Sequence, residues 1–372
     1  MTLVLLAASV ALAAVAVELL FRAVGHVASE PLWWHDLVTQ RKELQMRRLA
    51  RHGRLDVCVV GTSMMLFGVD PAAIADRLGV RCYNASIYRG VPRVTEAWLH
   101  DFVLPVLRPR LVVIGLSAVE ANDRSPLVGR YDEYRASKVF HASPLQRLWI
   151  AAARRSYAAR FAPMAKRPKA LARAVLTALR TPSAWRWRVP LGVPGKVGEL
   201  GEGLDMLDRS FKVTPKMGEL VRGQVGAGYT NGGEQSGAWA RMPDLCRSHG
   251  SAVVFAAMPA PRQLFETTFA GGRAAYEREQ AALVAQARAT GTDVIDVTGG
   301  LDGEECFADQ VHCNRLGRDT FTARLADALA PYWASALADD ARGHADRDGV
   351  RRDLAAHDGV GADDRTRADG RA

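Results

Sequence analysis

Two short segments of the sequence carry residues that could do chemistry together. Gly61-Thr62-Ser63 follows the apolar run 56–60, and Asp309-Gln310-Val311-His312 precedes a segment typical of a helix start. A serine at the carboxyl end of a parallel strand lies at the sheet edge, near helix N–H groups that can stabilise an oxyanion. An aspartate three residues before a histidine can accept the Nδ1–H and leave Nε2 as a base. The pattern therefore indicates a serine nucleophile with its own base.

Each segment also has an ordinary structural interpretation. Ser63 could simply cap a helix, and Met65 stands where the motif Gly-x-Ser-x-Gly has its second glycine. His312 belongs to the only Asp-x-x-His among nine histidines, yet a surface histidine beside a helix start would fit the same spacing. Cys306 and Cys313 flank this motif and could pair in an oxidising compartment. Zinc ligation by these two cysteines and His312 matches no zinc pattern, so no metal or other cofactor is expected.

Taken together with Asn84 and the polar end of the third predicted strand, these segments resemble the SGNH (GDSL-like) hydrolase superfamily. The resemblance covers about residues 56–123 and 250–338. It implies that Ser63 is the nucleophile, that His312 is the base and that Asp309 orients the histidine. The order along the chain, a serine after the first strand and Asp-x-x-His before the last helix, is that of the superfamily.

The middle of the sequence departs from the superfamily pattern. Where the family has Asn-x-Gly, this chain has Asn84-Ala85-Ser86, with Gly90 four residues later. The resemblance implies that Asn84 and Gly90 contact the substrate and that the N–H groups of Ser63 and Ser86 stabilise the oxyanion. Where the family has Gly-x-Asn, this chain has Gly115-Leu116-Ser117. Either Asn122 or Ser117 completes the oxyanion hole, or that donor is missing, which typically costs ~10²–10³-fold in rate.

The elements that must position these residues alternate along the chain. Apolar runs predict five strands, at 56–60, 80–83, 110–114, 252–257 and 293–297. Helices are predicted at 71–78, where Asp70 and Pro71 form a start signal, and at 94–107, 274–290 and 316–338. Apolar strands separated by helices are typical of a parallel sheet covered on both faces. The sequence therefore predicts a three-layer α/β/α fold with a five-stranded parallel sheet at 56–338.

The first 22 residues predict an N-terminal transmembrane helix. Only one charged residue interrupts the apolar run 2–21, which is just long enough to cross a bilayer. An amphipathic connector is predicted at 23–55, with Trp33 and Trp34 suited to a membrane interface. Basic residues after the span favour a cytoplasmic domain, but large domains translocate largely regardless of charge. We expect a membrane-anchored, extracytoplasmic catalytic domain, with the side left open.

A helical basic insertion is predicted at about 124–235. Between Glu133 and Glu199 the chain has fourteen Lys and Arg and no acidic residue, although the whole chain has a net charge of only +9. This pattern suits an anionic membrane surface or an anionic polymer, and equally a solvated helical cap. Nucleic acid is disfavoured because no binding motif accompanies the charge.

The composition limits the classes of protein to which the chain can belong. With 372 residues and 48% hydrophobic content it can bury a core, and a single long apolar run excludes a polytopic membrane protein. Five cysteines are too few for a disulfide scaffold. Residues 339–372 lack aromatic residues, Ile and Met, and predict a disordered tail.

Two functions are compatible with these observations. The first is a serine-dependent acyl ester hydrolase or O-acyltransferase acting on an envelope glycan or a lipid ester. Its partners would be an acyl ester or O-acylated glycan, membrane lipid and a membrane-bound acyl donor. The second is a catalytically impaired SGNH-like subunit that binds anionic lipid or glycan as a scaffold.

Overall fold

A five-stranded parallel sheet forms the centre of the protein in a computed structural model that describes residues 2–24, 34–141, 197–226 and 228–359. The strands are β1 (Val57–Val60), β2 (Cys82–Asn84), β3 (Leu111–Leu116), β4 (Ala252–Ala257) and β5 (Val294–Ile295). Their order across the sheet is β2-β1-β3-β4-β5, and every neighbouring pair is parallel. The carboxyl ends of all five strands therefore share one edge of the sheet.

Twelve α-helices lie in the described ranges. They are α1 (Thr2–Val24), α2 (Leu37–Leu49), α3 (Ser63–Gly68), α4 (Pro71–Leu78), α5 (Pro92–Trp98), α6 (Leu104–Leu107), α7 (Arg130–Arg135), α8 (Lys138–His141), α9 (Pro215–Val225), α10 (Glu234–Ser248), α11 (Gly272–Ala289) and α12 (Arg315–Gly359).

Helices cover both faces of the sheet. Every residue of β1 and β3 is buried, and successive side chains of a strand point to opposite faces. Helix α12 packs against α3 and α4, whereas α10 packs against α5, and both α10 and α12 contact β4. The three-layer α/β/α arrangement predicted from the sequence is confirmed.

The predicted elements are placed within a few residues of the observed ones. Strand β4 has the predicted bounds, and α4 starts with Asp70 as its cap and Pro71 at the first helical position. One helix differs. The predicted helix 94–107 is broken into α5 and α6 by the π-helical segment Leu99–Val103. Pro105 follows this segment and has no N–H for a regular helical hydrogen bond, which accounts for the interruption.

The N-terminal segment forms helix α1. Within the described ranges, none of the helices combines the length and the apolar character that a bilayer span requires. The predicted transmembrane anchor at residues 1–22 is therefore not supported.

Residues 34–55 pack into the α/β domain, contrary to the predicted amphipathic connector. Trp34 is buried, not placed at a membrane interface, and it stacks on Tyr134 and meets Trp98 and Phe102 edge to face. Most of α2 is buried as well, although its sequence is polar. Trp33 lies outside the described residues. The polar residues of α2 are buried because they find partners in the domain, which periodicity alone does not show.

Two further predictions fall partly outside the described ranges. Most of the predicted basic insertion, residues 142–196, lies there, so its helical character stays a prediction. The predicted disordered tail is not borne out over 339–359, where α12 continues to Gly359. This stretch is mostly polar and charged, so its helical form was not indicated by an apolar periodicity. Residues 360–372 lie outside the described chain.

Candidate active site

Three predicted site residues meet at the carboxyl edge of the sheet. The Oγ of Ser63 lies 2.9 Å from Nε2 of His312, and Nδ1 of the same ring lies 2.9 Å from Oδ2 of Asp309. The serine and the histidine are 249 residues apart in the chain. A hydrogen-bonded row of hydroxyl, imidazole and carboxylate is the arrangement in which a serine can be deprotonated and attack a carbonyl carbon.

The carboxylate of Asp309 is held in its ionised form. Burial alone raises the pKa of Asp309, but the adjacent His312 ring and the hydrogen bonds from His312 and Val311 outweigh burial, so the net pKa lies below its ordinary value. Its Oδ1 accepts the N–H groups of Val311 and His312 at 2.9 and 3.0 Å. Because Oδ1 is fixed by the backbone, Oδ2 is aimed at the imidazole and sets its tautomer.

The loop that carries the histidine is closed on itself. Phe307 and Cys313 form an antiparallel bridge around the Asp-x-x-His turn. Asn314 donates to the carbonyl oxygens of Glu305 and Phe307, and its own side-chain oxygen accepts the N–H of Gly317 at the start of α12. A Cβ on Gly317 would collide with the carbonyl of Cys306. The loop and the last helix are therefore locked together.

Ser63 is the first residue of α3, directly after the turn that follows β1. Thr62 caps this helix, with its Oγ1 accepting the N–H of Met64 at 3.3 Å. The Met65 side chain is buried in the space left by two glycines at strand ends, and a Cβ on either Gly61 or Gly115 would collide with it. These glycines let α3 approach the sheet closely, and that approach places Ser63 at its edge.

A cavity of about 290 Å³ opens in front of the Ser63 hydroxyl. Ser63 and His312 lie in its wall, together with Tyr88, Gly90, Glu120 and Met206. The volume is at the lower end of the range for small-molecule sites. Ser63 therefore lies in the wall of a cavity that can admit a small molecule.

The mouth of the cavity is positively charged. Arg89, Arg209 and Lys216 contribute exposed cationic side chains, and Asp205 contributes one carboxylate. None of the three cations has a salt bridge to a described residue. The excess of cations favours an anionic ligand.

Asn84 and Ser86 do not have the contacts that were predicted from the sequence. Asn84 was expected to contact the substrate, but it is fully buried and its Nδ2 donates to the carbonyl oxygens of Met65 and Val69. Its Oδ1 accepts the N–H of Ser86 at 3.1 Å. The Ser86 N–H is thereby already used, so it is not a free donor for an oxyanion.

The two alternatives for the remaining donor, Asn122 and Ser117, are also occupied. Asn122 donates through Nδ2 to Gln224 and accepts the N–H groups of Arg124 and Thr230 through Oδ1. Ser117 is buried and its Oγ accepts the N–H of Val119, capping a short 3₁₀ segment. Neither residue lies in the wall of the cavity. The structure therefore does not support either as the oxyanion donor.

Sequence reasoning missed Glu120, which lies in the cavity wall and accepts a hydrogen bond from Thr62, the residue before Ser63. The sequence does hold a signal, because Glu120 is the only charged residue between Leu111 and Ala121, a stretch that contains a core strand. Gly90, expected to contact the substrate, does lie in the cavity wall and packs on Thr62.

The cysteines beside the site do not form a disulfide. Cys306 and Cys313 are both buried free thiols, and burial raises the pKa of Cys313 to about 12. Among the described residues, no group of three His, Cys, Asp or Glu side chains is arranged to hold a metal ion. The hydrogen bonds of the His312 ring are instead directed to Asp309 and Ser63.

Comparisons with known proteins give a likeness among solved structures but none in sequence. No family model matches the sequence, and no curated protein matches it. Among solved structures, a lipase/acylhydrolase from Enterococcus faecalis matches with 12% sequence identity and a TM-score of 0.37, covering 75% of this chain and 97% of that one. A likeness at this level decides neither fold nor activity, and a functional conclusion has to rest on the geometry of this chain.

Proposed function

We propose that this protein is a serine-dependent acyl esterase or O-acyltransferase. The observation that carries the proposal is the continuous hydrogen bonding from Ser63 through His312 to Asp309 at the wall of an open cavity. Ser63 Oγ bonds to the ester carbonyl carbon while its proton passes to Nε2 of His312. The carbonyl electron pair moves onto oxygen and forms the tetrahedral oxyanion.

The second half of the reaction follows from the same groups. Collapse of the oxyanion breaks the bond to the leaving alcohol, which takes the proton from His312 and leaves an acyl group on Ser63. Water or a sugar hydroxyl, deprotonated by His312, then releases the acyl group. The Ser63 N–H lies in the first turn of α3, where helix N–H groups have no acceptor within the helix, and serves as one oxyanion donor.

The cationic mouth of the cavity supports an acylated anionic glycan or lipid as substrate over a neutral one. Arg89, Arg209 and Lys216 would attract the negative charge while the ester enters the cavity. A membrane-bound acyl donor and contact with membrane lipid stay predictions from the sequence.

A fluorophosphonate probe tests the assignment of the nucleophile. We expect the wild type to be labelled on Ser63, the Ser63→Ala variant to lose the label, and its ester hydrolysis to fall at least ~10³-fold. Ser125→Ala is the matched control, because Ser125 is the other serine in the cavity wall, and it should be labelled like the wild type. Undiminished labelling of Ser63→Ala would contradict the proposal.

The alternative, a binding subunit without catalysis, has one observation in its favour. None of the expected oxyanion donors Ser86, Ser117 and Asn122 lies in the cavity wall. Under this alternative, wild-type protein binds an anionic glycan but neither reacts with the probe nor hydrolyses 4-nitrophenyl acetate.

A further inference from the structure

Glu120 is a buried acid with an unusual position. It ends the short 3₁₀ segment Ala118–Glu120 that follows β3, and it is only 8% exposed. The small exposed part faces the cavity whose wall also contains Ser63 and His312. A charged group is rarely placed in such surroundings without a counter-ion.

The carboxyl group is tied to the residue that precedes the nucleophile. Its Oε1 accepts a hydrogen bond from Oγ1 of Thr62, which caps α3. Among the described residues, Oε2 makes no hydrogen bond, and Glu120 has no salt bridge to lysine, arginine or histidine. One oxygen is therefore fixed beside the start of α3, while the other is left for a group inside the cavity.

Burial favours the neutral form of the Glu120 carboxyl group. It raises the pKa of this group well above its usual value. A neutral carboxyl group has one O–H donor in addition to its acceptor oxygen. With Oε1 serving as acceptor for Thr62, the proton on Oε2 is available to donate into the cavity.

None of the oxyanion donors expected from the sequence faces the cavity. Asn122 and Ser117 do not lie in its wall, and the Ser86 N–H is bound to Asn84. An acyl-transfer site without such a donor is slow, because charge on the carbonyl oxygen develops without compensation.

We propose that Glu120 is a catalytic residue that, as a neutral carboxylic acid, donates a hydrogen bond from Oε2 to the carbonyl oxygen of the ester attacked by Ser63. This inference rests on the proposed esterase function. The donor gains strength as the carbonyl oxygen becomes an oxyanion, so that it stabilises the transition state more than the bound ester. Thr62 positions the donor next to the nucleophile.

Two substitutions of nearly the same volume separate this role from a structural one. Glu120→Gln keeps both an acceptor oxygen for Thr62 and a neutral donor, now an amide. Glu120→Met fills the same buried space and removes the donor. Activity is measured on 4-nitrophenyl acetate with the full-length chain, and Glu219→Gln on the exposed face of α9 is the control that should match the wild type.

We expect Glu120→Met to lower kcat ~10²–10³-fold with KM within about threefold, and Glu120→Gln to restore kcat to within about tenfold of the wild type. A purely structural role would not yield a kcat-only defect that an amide rescues. Wild-type kcat in the Met variant, or a Gln variant as slow as Met, overturns the inference. If Glu120→Met does not fold, the test rests on Glu120→Gln alone. A kcat of Glu120→Gln that is more than ~10²-fold below the wild-type value then overturns the inference.

Failure of the proposed function gives a different result. In that case the wild type itself leaves the ester intact and Ser63 is not labelled by the fluorophosphonate. If Ser63 is labelled and required while Glu120→Met keeps full kcat, the proposed esterase function is retained and only the proposed role of Glu120 is rejected.

Discussion

The two sides of the cavity are held in different ways. On the nucleophile side (Ser63, His312 and Asp309) each side chain hydrogen-bonds to the next, and the last one is fixed by its own turn. On the oxyanion side (Ser86, Ser117 and Asn122) none of the three residues lies in the cavity wall. Ser117 and Asn122 bond to backbone groups, and the N–H of Ser86 bonds to the Asn84 side chain. Similar residue types at the same edge of one sheet therefore serve chemistry on one side and loop structure on the other.

The largest effect should come from the carboxylate on the nucleophile side. In Asp309→Asn, the amide oxygen stays on the N–H groups of Val311 and His312, so that the NH2 group faces Nδ1 of His312. The ring then takes the wrong tautomer, and we expect kcat to fall about 10³–10⁴-fold. Steady-state kinetics at pH 7.5 measures this loss, and circular dichroism checks that the fold is kept. A loss of less than tenfold in a folded variant would show that Asp309 does not set the tautomer.

On the oxyanion side we expect the opposite outcome, a loss of stability without a loss of kcat. Asn122→Ala removes three hydrogen bonds, two of which join the end of β3 to the segment 224–230, and should lower the free energy of unfolding by about 3 kcal/mol. Urea denaturation measures this change, with the partly exposed Asn231→Ala as the control that should change by less than about 1 kcal/mol. A kcat more than tenfold lower in folded Asn122→Ala would show that Asn122 takes part in the reaction.

Behind the oxyanion side, the buried Lys42 predicts a pH-dependent stability. Burial lowers the pKa of Lys42 from 10.5 to about 7, while its Nζ donates to the carbonyl oxygens of Asn84 and Gly201. Above pH 7 the unfolded chain binds more protons at this lysine than the folded chain does. The contribution of Lys42 to the free energy of unfolding therefore rises with pH. Between pH 7 and 8.5 we expect an increase of about 2 kcal/mol from this residue.

Lys42→Met tests that sign. Urea denaturation at pH 7 and at pH 8.5 should show a smaller rise in the variant than in the wild type, whereas Lys212→Met, at an exposed position, should show the wild-type rise. Equal rises in wild type and Lys42→Met would mean that the lysine stays charged in the folded protein. The window ends at pH 8.5 because the buried cysteines, whose pKa values are raised, act with the opposite sign at higher pH.

The smallest effect is expected at Ser86. Its hydroxyl is buried and has no hydrogen-bond partner, so Ser86→Ala removes an unsatisfied group and should leave the protein equally stable or up to about 1 kcal/mol more stable. Thermal and urea unfolding measure the difference. A clear destabilisation would reveal a partner for the hydroxyl, and a lower kcat would bring Ser86 back to the reaction.

The sequence predicted what is local and missed what depends on distant partners. The apolar runs predicted the strands, and Asp309 and His312 bond within one turn, so their spacing alone carries the geometry. Asn122, in contrast, is turned from the cavity by groups 102 and 108 residues further along the chain. No local pattern around Asn122 contains that information.

Burial of polar residues could not be predicted from the sequence for a similar reason. Lys42 lies in a helix whose residues are mostly polar. It is buried because its Nζ donates hydrogen bonds to the carbonyl oxygens of Asn84 and Gly201. Glu120 stood out only as a lone acid beside a core strand. Each of these residues is explained by a contact across the fold, and none by its neighbours in sequence.

The Met65 side chain that fills the room beside Gly61 and Gly115 also limits how the site can be altered. The floor beneath the nucleophile is a fixed platform, since enlarging either glycine would push α3, and Ser63 with it, away from the imidazole. Engineering toward longer acyl chains would therefore begin at another part of the cavity wall, where Met217 presents a pliable thioether.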